Sequence, residues 1–201
     1  MNNLRTIRDF LRFAVTSFNQ AGLVHGHGTT SPIDEAAFLI LEKLKLPMDD
    51  INPWADAALT ESERQALLAL IDKRIKTRKP AAYLVNKVYM QGVPFYVDER
   101  VIVPRSYIGE MMAKGLLADL DIDVGAVHKV LDLCTGSGCL AILAAAQFPS
   151  AEIHATELSA DALAVAEINV KDHGLEQRVS LYKGDIFARL GKMNFDFLFA
   201  H

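Results

Sequence analysis

Between Asn3 and Phe18 the apolar residues Leu4, Ile7, Leu11, Ala14, Val15 and Phe18 recur at steps of three and four, which places them on one face of a predicted helix. Ser31-Pro32 ahead of Asp34-Glu35 is a helix start and predicts a second helix over Glu35 to Leu44. Thr60 followed at the third position by Glu63 is a capping-box signature, and Ala66, Leu67, Leu70, Ile71 and Ile75 continue it at helical spacing. Residues 1–80 are therefore expected to form a small helical domain.

From Tyr83 to Val103 the pattern changes to β-branched and aromatic residues with a turn signal at Gln91-Gly92, so residues 81–105 are expected to be a β-hairpin linker. A helical stretch follows over Ile108 to Leu120. Beyond it, short apolar runs at Lys129 to Leu133, Glu152 to Leu158, Val179 to Tyr182 and Phe195 to Ala200 are interleaved with helical patterns at Leu140 to Gln147 and Ala160 to Asp172. Strand, helix and strand in alternation predict an α/β domain with a parallel sheet over residues 106–201.

Composition narrows the field of functions. The 201 residues are 51% hydrophobic and 23% charged, with a formal net charge of -4, so the chain as a whole lacks the basic surface of a typical nucleic-acid binder. Its two cysteines, Cys134 and Cys139, are too few and too close for a secreted disulfide framework, and the expected compartment is a reducing cytoplasm. Met1 to Phe10 mixes polar and apolar residues, so neither a signal peptide nor a membrane span is expected.

The chemistry concentrates at Val130-Leu131-Asp132-Leu133-Cys134-Thr135-Gly136-Ser137-Gly138-Cys139-Leu140-Ala141, a strand running through a Gly-rich turn into a helix. Glycines let the backbone turn tightly against a nucleotide, and the following helix offers unpaired N–H groups. Alone, these glycines fit a dinucleotide site equally well. Three carboxylates sharpen the signal, with Asp185 tipping the balance; at Asp132 a pyrophosphate gains nothing from a carboxylate, whereas the sulfonium and ammonium of S-adenosylmethionine do. Glu157, about twenty residues past the turn, has the spacing of a ribose-binding carboxylate for either cofactor. Asp185, after the third run, could accept from an adenine amino group while Ile186 covers the ring. Each carboxylate also has a purely local use, Asp132 and Glu157 at helix entries and Asp185 in a turn. Their joint position at the ends of three successive strands favours a site.

Other clusters carry less. Cys134 and Cys139 have no second pair of ligands, and His25-Gly26-His27 reads as a loop with a packing role, so no metal is expected. The run Lys73-Arg74-Ile75-Lys76-Thr77-Arg78-Lys79 reads first as a solvated helix end and second as a weak contact to ribosomal RNA.

The chain resembles the protein glutamine methyltransferases over its whole length. The resemblance rests on the loop from Asp132 to Cys139, on Thr156-Glu157-Leu158-Ser159 and on Gly184-Asp185-Ile186-Phe187. It implies a Rossmann-like domain, S-adenosylmethionine as cofactor, and a cofactor set of Asp132, Cys134, Thr135, Gly136, Gly138, Glu157, Leu158, Asp185 and Ile186. Gly26-His27-Gly28-Thr29 with Asp34-Glu35-Ala36, and Phe95 to Arg100 with Val103-Pro104-Arg105-Ser106, resemble the branch acting on a large-subunit ribosomal protein. The release-factor branch usually continues Pro-Arg with Pro-Glu-Thr, where this chain has Ser106-Tyr107-Ile108.

Two departures accompany the likeness. Glu157 stands where many relatives have Asp, which keeps the carboxylate. The family's Asn-Pro-Pro-Tyr motif, which holds the amide to be methylated, follows the fourth strand, and the chain ends there at His201. The expectation is a truncated form that binds cofactor without turnover, with His201 foreign to the natural sequence. The rival readings are a release-factor glutamine methyltransferase, a nucleic-acid base methyltransferase, an NAD-dependent oxidoreductase, and a non-catalytic binding module whose helical part recognises a protein.

Overall fold

The computed structural model describes residues 3–26, 28–114, 122–188 and 190–200. It divides into two compact units, Met1–Asn86 and Lys87–His201.

The first unit is helical. Helix α1 (Ile7–Gln20) starts at Thr6, whose hydroxyl accepts from the Asp9 N–H while the Asp9 carboxylate accepts from the Thr6 N–H. This capping box starts the helix at Ile7, later than periodicity alone predicts, because two backbone donors are satisfied there. Ile7, Phe10, Ala14 and Phe18 form its buried face. Helix α2 (Pro32–Leu44) is capped by Ser31 with Pro32 in its first turn. Helix α3 (Glu61–Thr77) carries the expected Thr60/Glu63 box and ends at Arg78 in the left-handed region. Phe10, Phe18, Leu39, Ile40, Leu67 and Ile71 make the centre of this core. A short helix α4 (Ala81–Val85) follows, where hairpin was expected. Pro80 at its start and Asn86 at φ 53° at its end delimit one helical turn, and Ala81 and Ala82 bury its inner side.

The second unit opens with the hairpin β1 (Val88–Met90) and β2 (Val93–Phe95). Its two-residue turn puts Gln91 at φ 53° and Gly92 at φ 77°, the mirror-image geometry that matches strand twist. Helix α5 (Tyr107–Ala113) is capped by Ser106. The remainder of the helix expected to Leu120 falls largely on residues 115–121, outside the described residues.

The main sheet comprises β3 (Lys129–Leu133), β4 (Glu152–Glu157), β5 (Val179–Lys183) and β6 (Phe197–Ala200), all parallel, in the order β5-β4-β3-β6. Helices α6 (Cys139–Gln147) and α7 (Ala160–Asp172) are the crossovers that parallel neighbours require. Nearly every side chain of α6 is apolar or small and most are buried, as in a helix covered by its neighbours. Val130 and Leu131 of β3 and Ile153 of β4 are fully buried. The chain leaves β3 for β4 on one side, and β6 joins β3 on the other. That reversal opens a crevice at the carboxyl end of β3, the general ligand position of open α/β sheets.

Candidate cofactor site

The crevice is built by the turn from β3 to α6. Cys134 and Gly136 take left-handed conformations, at φ 59° and 57°, and Gly138 at φ 79° caps α6. The Thr135 N–H donates to the Thr156 carbonyl and the Gly138 N–H to the Thr135 carbonyl. A side chain at Gly138 would bring a Cβ to 3.2 Å from the Ala166 Cβ, so glycine is needed for backbone angle and for clearance.

Asp132 is the central group. It is fully buried, and its Oδ2 accepts a 2.5 Å hydrogen bond from the Thr135 hydroxyl. Its Oδ1 is buried with no hydrogen-bond partner of ordinary geometry, although the Ala141 N–H in the first turn of α6 lies so as to favour the ionised form. Burial dominates and pushes the carboxyl up to about 7, with Thr135 and Ala141 opposing the rise and the Glu157 charge adding to it. A buried acceptor without a donor is costly in isolation and well suited to an incoming cation.

Glu157, at the end of β4, has both oxygens engaged. Oε2 accepts from the Gly136 N–H and Oε1 from the Ser159 N–H, each at 2.9 Å. It thus braces the Gly-rich turn, and each carboxylate oxygen keeps a lone pair for a further donor. The Gly184 N–H donates to the Glu157 carbonyl, which draws the turn after β5 alongside.

A cavity of about 280 Å³ occupies the crevice. Of the residues expected from sequence, Asp132, Cys134, Thr135, Gly136 and Glu157 line it. Gly138, Leu158, Asp185 and Ile186 do not; Gly138 is buried beneath the turn, and the other three are exposed on the loops after β4 and β5. The opposite wall comes from Met90 of the hairpin and from Arg100 to Ser106, a segment to which sequence reasoning assigned no cofactor role. Arg100 is held there by Asp98, through Nε to Oδ1 at 2.9 Å and Nη2 to Oδ2 at 2.6 Å. Arg100 and the Tyr96 hydroxyl together hold the Asp98 carboxyl well below the usual carboxylate range. The Cys139 thiol is buried and pushed up to about 12, so it is a packed neutral group.

The chain has relatives among known proteins. Residues 112–200 match the family described as Methyltransferase small domain. The chain is 54% identical over 200 residues to the ribosomal protein uL3 glutamine methyltransferase of Bradyrhizobium diazoefficiens, covering 97% of this chain and 63% of that protein. Proteins of the same name from Burkholderia pseudomallei and Neisseria meningitidis are 53% and 52% identical over 92% and 93% of this chain. Residues 112–200 therefore carry a methyltransferase domain, and the chain is similar along most of its length to proteins named ribosomal protein uL3 glutamine methyltransferase. It spans 63%, 60% and 61% of the length of these three relatives. Among solved structures, a human methyltransferase 10 domain containing protein overlaps 54% of this chain and 53% of its own at 15% identity and a TM-score of 0.42.

Other residues weighed for chemistry have structural surroundings of their own. Among the described residues no group of three or more His, Cys, Asp and Glu could hold a metal ion. His27 lies outside the described residues, as does His201. The basic run at the end of α3 is only partly a solvated face. Arg74 is buried against Glu35, Lys76 pairs with Asp72, and Arg78 donates to the carbonyls of Ala21 and Gly22. Periodicity marks a helix end but cannot say which of its cations turn inward. No described helix is long and apolar enough to cross a membrane.

Proposed function

We propose that the α/β unit holds S-adenosylmethionine in the cavity at the carboxyl end of β3. We further propose that the protein to which this chain belongs methylates the side-chain amide nitrogen of a glutamine in a large-subunit ribosomal protein, uL3, in the cytoplasm. One observation carries the cofactor reading: a cavity with a fully buried carboxylate on its floor, one of whose oxygens lacks a donor. The substrate reading rests on the names of relatives about half identical to this chain. Two free thiols, Cys134 and Cys139, agree with a reducing compartment.

The residues fit the cofactor in charge and in shape. When bound, S-adenosylmethionine supplies an electrophilic methyl group on a positively charged sulfur. Asp132 would draw the cationic methionyl end into the crevice, with Thr135 fixing the carboxylate's orientation. The turn from Cys134 to Gly138 gives close backbone approach. Glu157 would take the ribose hydroxyls, with Leu158 beside it, and Asp185 with Ile186 would take the adenine end. Met90 and Ile102 give the facing wall apolar surface. An amide nitrogen is a poor nucleophile because its lone pair is delocalised, so positioning supplies most of the rate. Strand β6 pairs Phe199 with Asp132 and Ala200 with Leu133, so its carboxyl end reaches the same rim as Cys134. That is where groups holding the acceptor amide would have to emerge. We assign the helical domain, residues 1–80, to recognition of the protein substrate, and residues 81–105 to the link between it and the catalytic domain, residues 106–201. The basic run of α3 serves the helical fold first, and any ribosomal RNA contact would rest on its outward cations.

Calorimetric titration with S-adenosylmethionine, S-adenosylhomocysteine and NAD tests the cofactor reading. Saturable binding of the two adenosyl ligands and none of NAD, weakened by Asp132→Ala and by Asp185→Ala, is the expected result. Equal binding of NAD would overturn it.

A further inference from the structure

Helix α7 presents one continuous face to the site. Ala162, Ala166, Asn169 and His173 follow one another at helical spacing. Ala162 lines the cavity, and Ala166 lies directly against Gly138. Asn169, only 1% exposed, joins two segments distant in sequence. Its Oδ1 accepts from the Tyr96 N–H at 2.7 Å, and its Nδ2 donates to the Tyr96 carbonyl at 3.0 Å and to the Ser137 carbonyl at 2.8 Å. Both amide protons and the carbonyl oxygen are thus used, which also fixes the amide's orientation. One turn later, His173 Nε2 is 2.8 Å from the Pro94 carbonyl, and its ring packs on Phe95.

The geometry points to Asn169 as a positioning residue for the cofactor cavity, locking its two walls into one register: the Gly-rich turn through Ser137 and the segment leading to Arg100–Ser106 through Tyr96. This rests on the cofactor reading above. The turn carries Asp132's partner Thr135, and the Tyr96 segment leads into Val101, Ile102 and Pro104 on the facing wall. Neither wall is helix or strand at Tyr96 and Ser137. The buried Asn169 amide joins them with three hydrogen bonds. Loss of one group therefore loosens both walls together, which separates this role from ordinary core packing.

The test compares Asn169→Ala with Val165→Ala, a fully buried position on the same helix that makes none of these hydrogen bonds. In the ligand-free protein, hydrogen exchange is expected to rise about tenfold at both 96–103 and 134–138 in Asn169→Ala, and not selectively there in Val165→Ala. S-adenosylhomocysteine affinity should fall about tenfold in Asn169→Ala and stay within about twofold in Val165→Ala, both measured well below unfolding. Asn169→Asp adds a pH signature. Its carboxylate faces two carbonyls without a proton to donate, so affinity relative to the parent should be lowest near about pH 8 and recover toward about pH 5.5 as the proton returns. The proposal is overturned if exchange rises in one segment alone or in neither, if the two alanine variants lose affinity equally, or if Asn169→Asp shows no relative recovery. A parent chain that fails to bind S-adenosylhomocysteine would refute the cofactor reading instead, and exchange at the two segments would then decide the clamp by itself.

Discussion

In the helical unit Glu35 is 2% exposed, and its carboxylate accepts from Arg74 Nε at 2.7 Å, from Arg74 Nη2 and from the Thr29 hydroxyl, with His25 Nδ1 at 3.3 Å. In the α/β unit Asp132 is equally buried, yet among the described residues it has one hydroxyl donor, no cation, and an oxygen left over. The same chemical group is therefore used in two ways. Glu35 and Arg74 satisfy each other and tie the loop before α2 to α3, with Arg74 also reaching the Val24 carbonyl. On the proposed cofactor reading Asp132 awaits a partner from outside, and until it binds the fold carries the cost of the buried oxygen.

The largest effect that separates them is on stability. Glu35→Ala should destabilise the helical unit by about 3–5 kcal/mol, because it leaves the Arg74 guanidinium buried without a counter-charge. Denaturant unfolding measures this, and a loss below about 1 kcal/mol would remove the contrast. Affinity for S-adenosylhomocysteine should be unchanged, since every residue lining the cavity lies in the second unit. Next, Asp132→Ala should weaken S-adenosylmethionine binding about 100-fold, the effect of deleting one partner of a buried charge pair.

A pH series sharpens the comparison further. Folded Asp132 keeps its proton to about 7, against an ordinary value of 3.8, so between those values the folded state binds more protons than the unfolded one. Its contribution to the stability of the ligand-free protein is therefore lost as pH rises through about 7. Cofactor affinity should move the other way, falling about tenfold per pH unit below 7 as the carboxyl is neutralised. Asp132→Asn should flatten both slopes; thermal midpoints and calorimetry across pH read them, and parallel slopes in the variant would show that another group is responsible. The smallest effect is one the two units share. Thr60→Ala and Ser159→Ala each remove a helix cap and should each cost about 1 kcal/mol by denaturant titration, because caps act locally whatever the surrounding fold.

The cost of a cap is legible in sequence, and so was much else. Strand runs expected at Lys129 to Leu133 and Val179 to Tyr182, and a helix over Ala160 to Asp172, agree with the structure within a residue, because apolar periodicity records which side of each element is buried. The Gln91-Gly92 turn was legible for a similar reason, since few dipeptides accept two positive φ angles. The start of α1 lies later than periodicity predicts, because Thr6 and Asp9 form a capping box with aspartate in place of the usual Glu or Gln. The segment after Pro80 reads as hairpin in sequence, because the one turn of helix that forms there is too short to leave a periodic trace.

The site divides in the same way. By itself the sequence determined the alternation of strands and helices, the glycines that permit a tight turn, and three carboxylates at successive strand ends. These are features of spacing within one element or one turn. Only the tertiary structure decided that Glu157 braces the turn through Gly136 and Ser159, that Asp132 keeps an oxygen in reserve, and that Arg74 turns inward to Glu35, 39 residues away. It also chose Asn169, which meets Tyr96 across 73 residues. The physical reason is that periodicity reports which way a side chain faces, whereas the partner it meets there depends on how separate elements pack, and burial then sets the charge state that the partner makes useful.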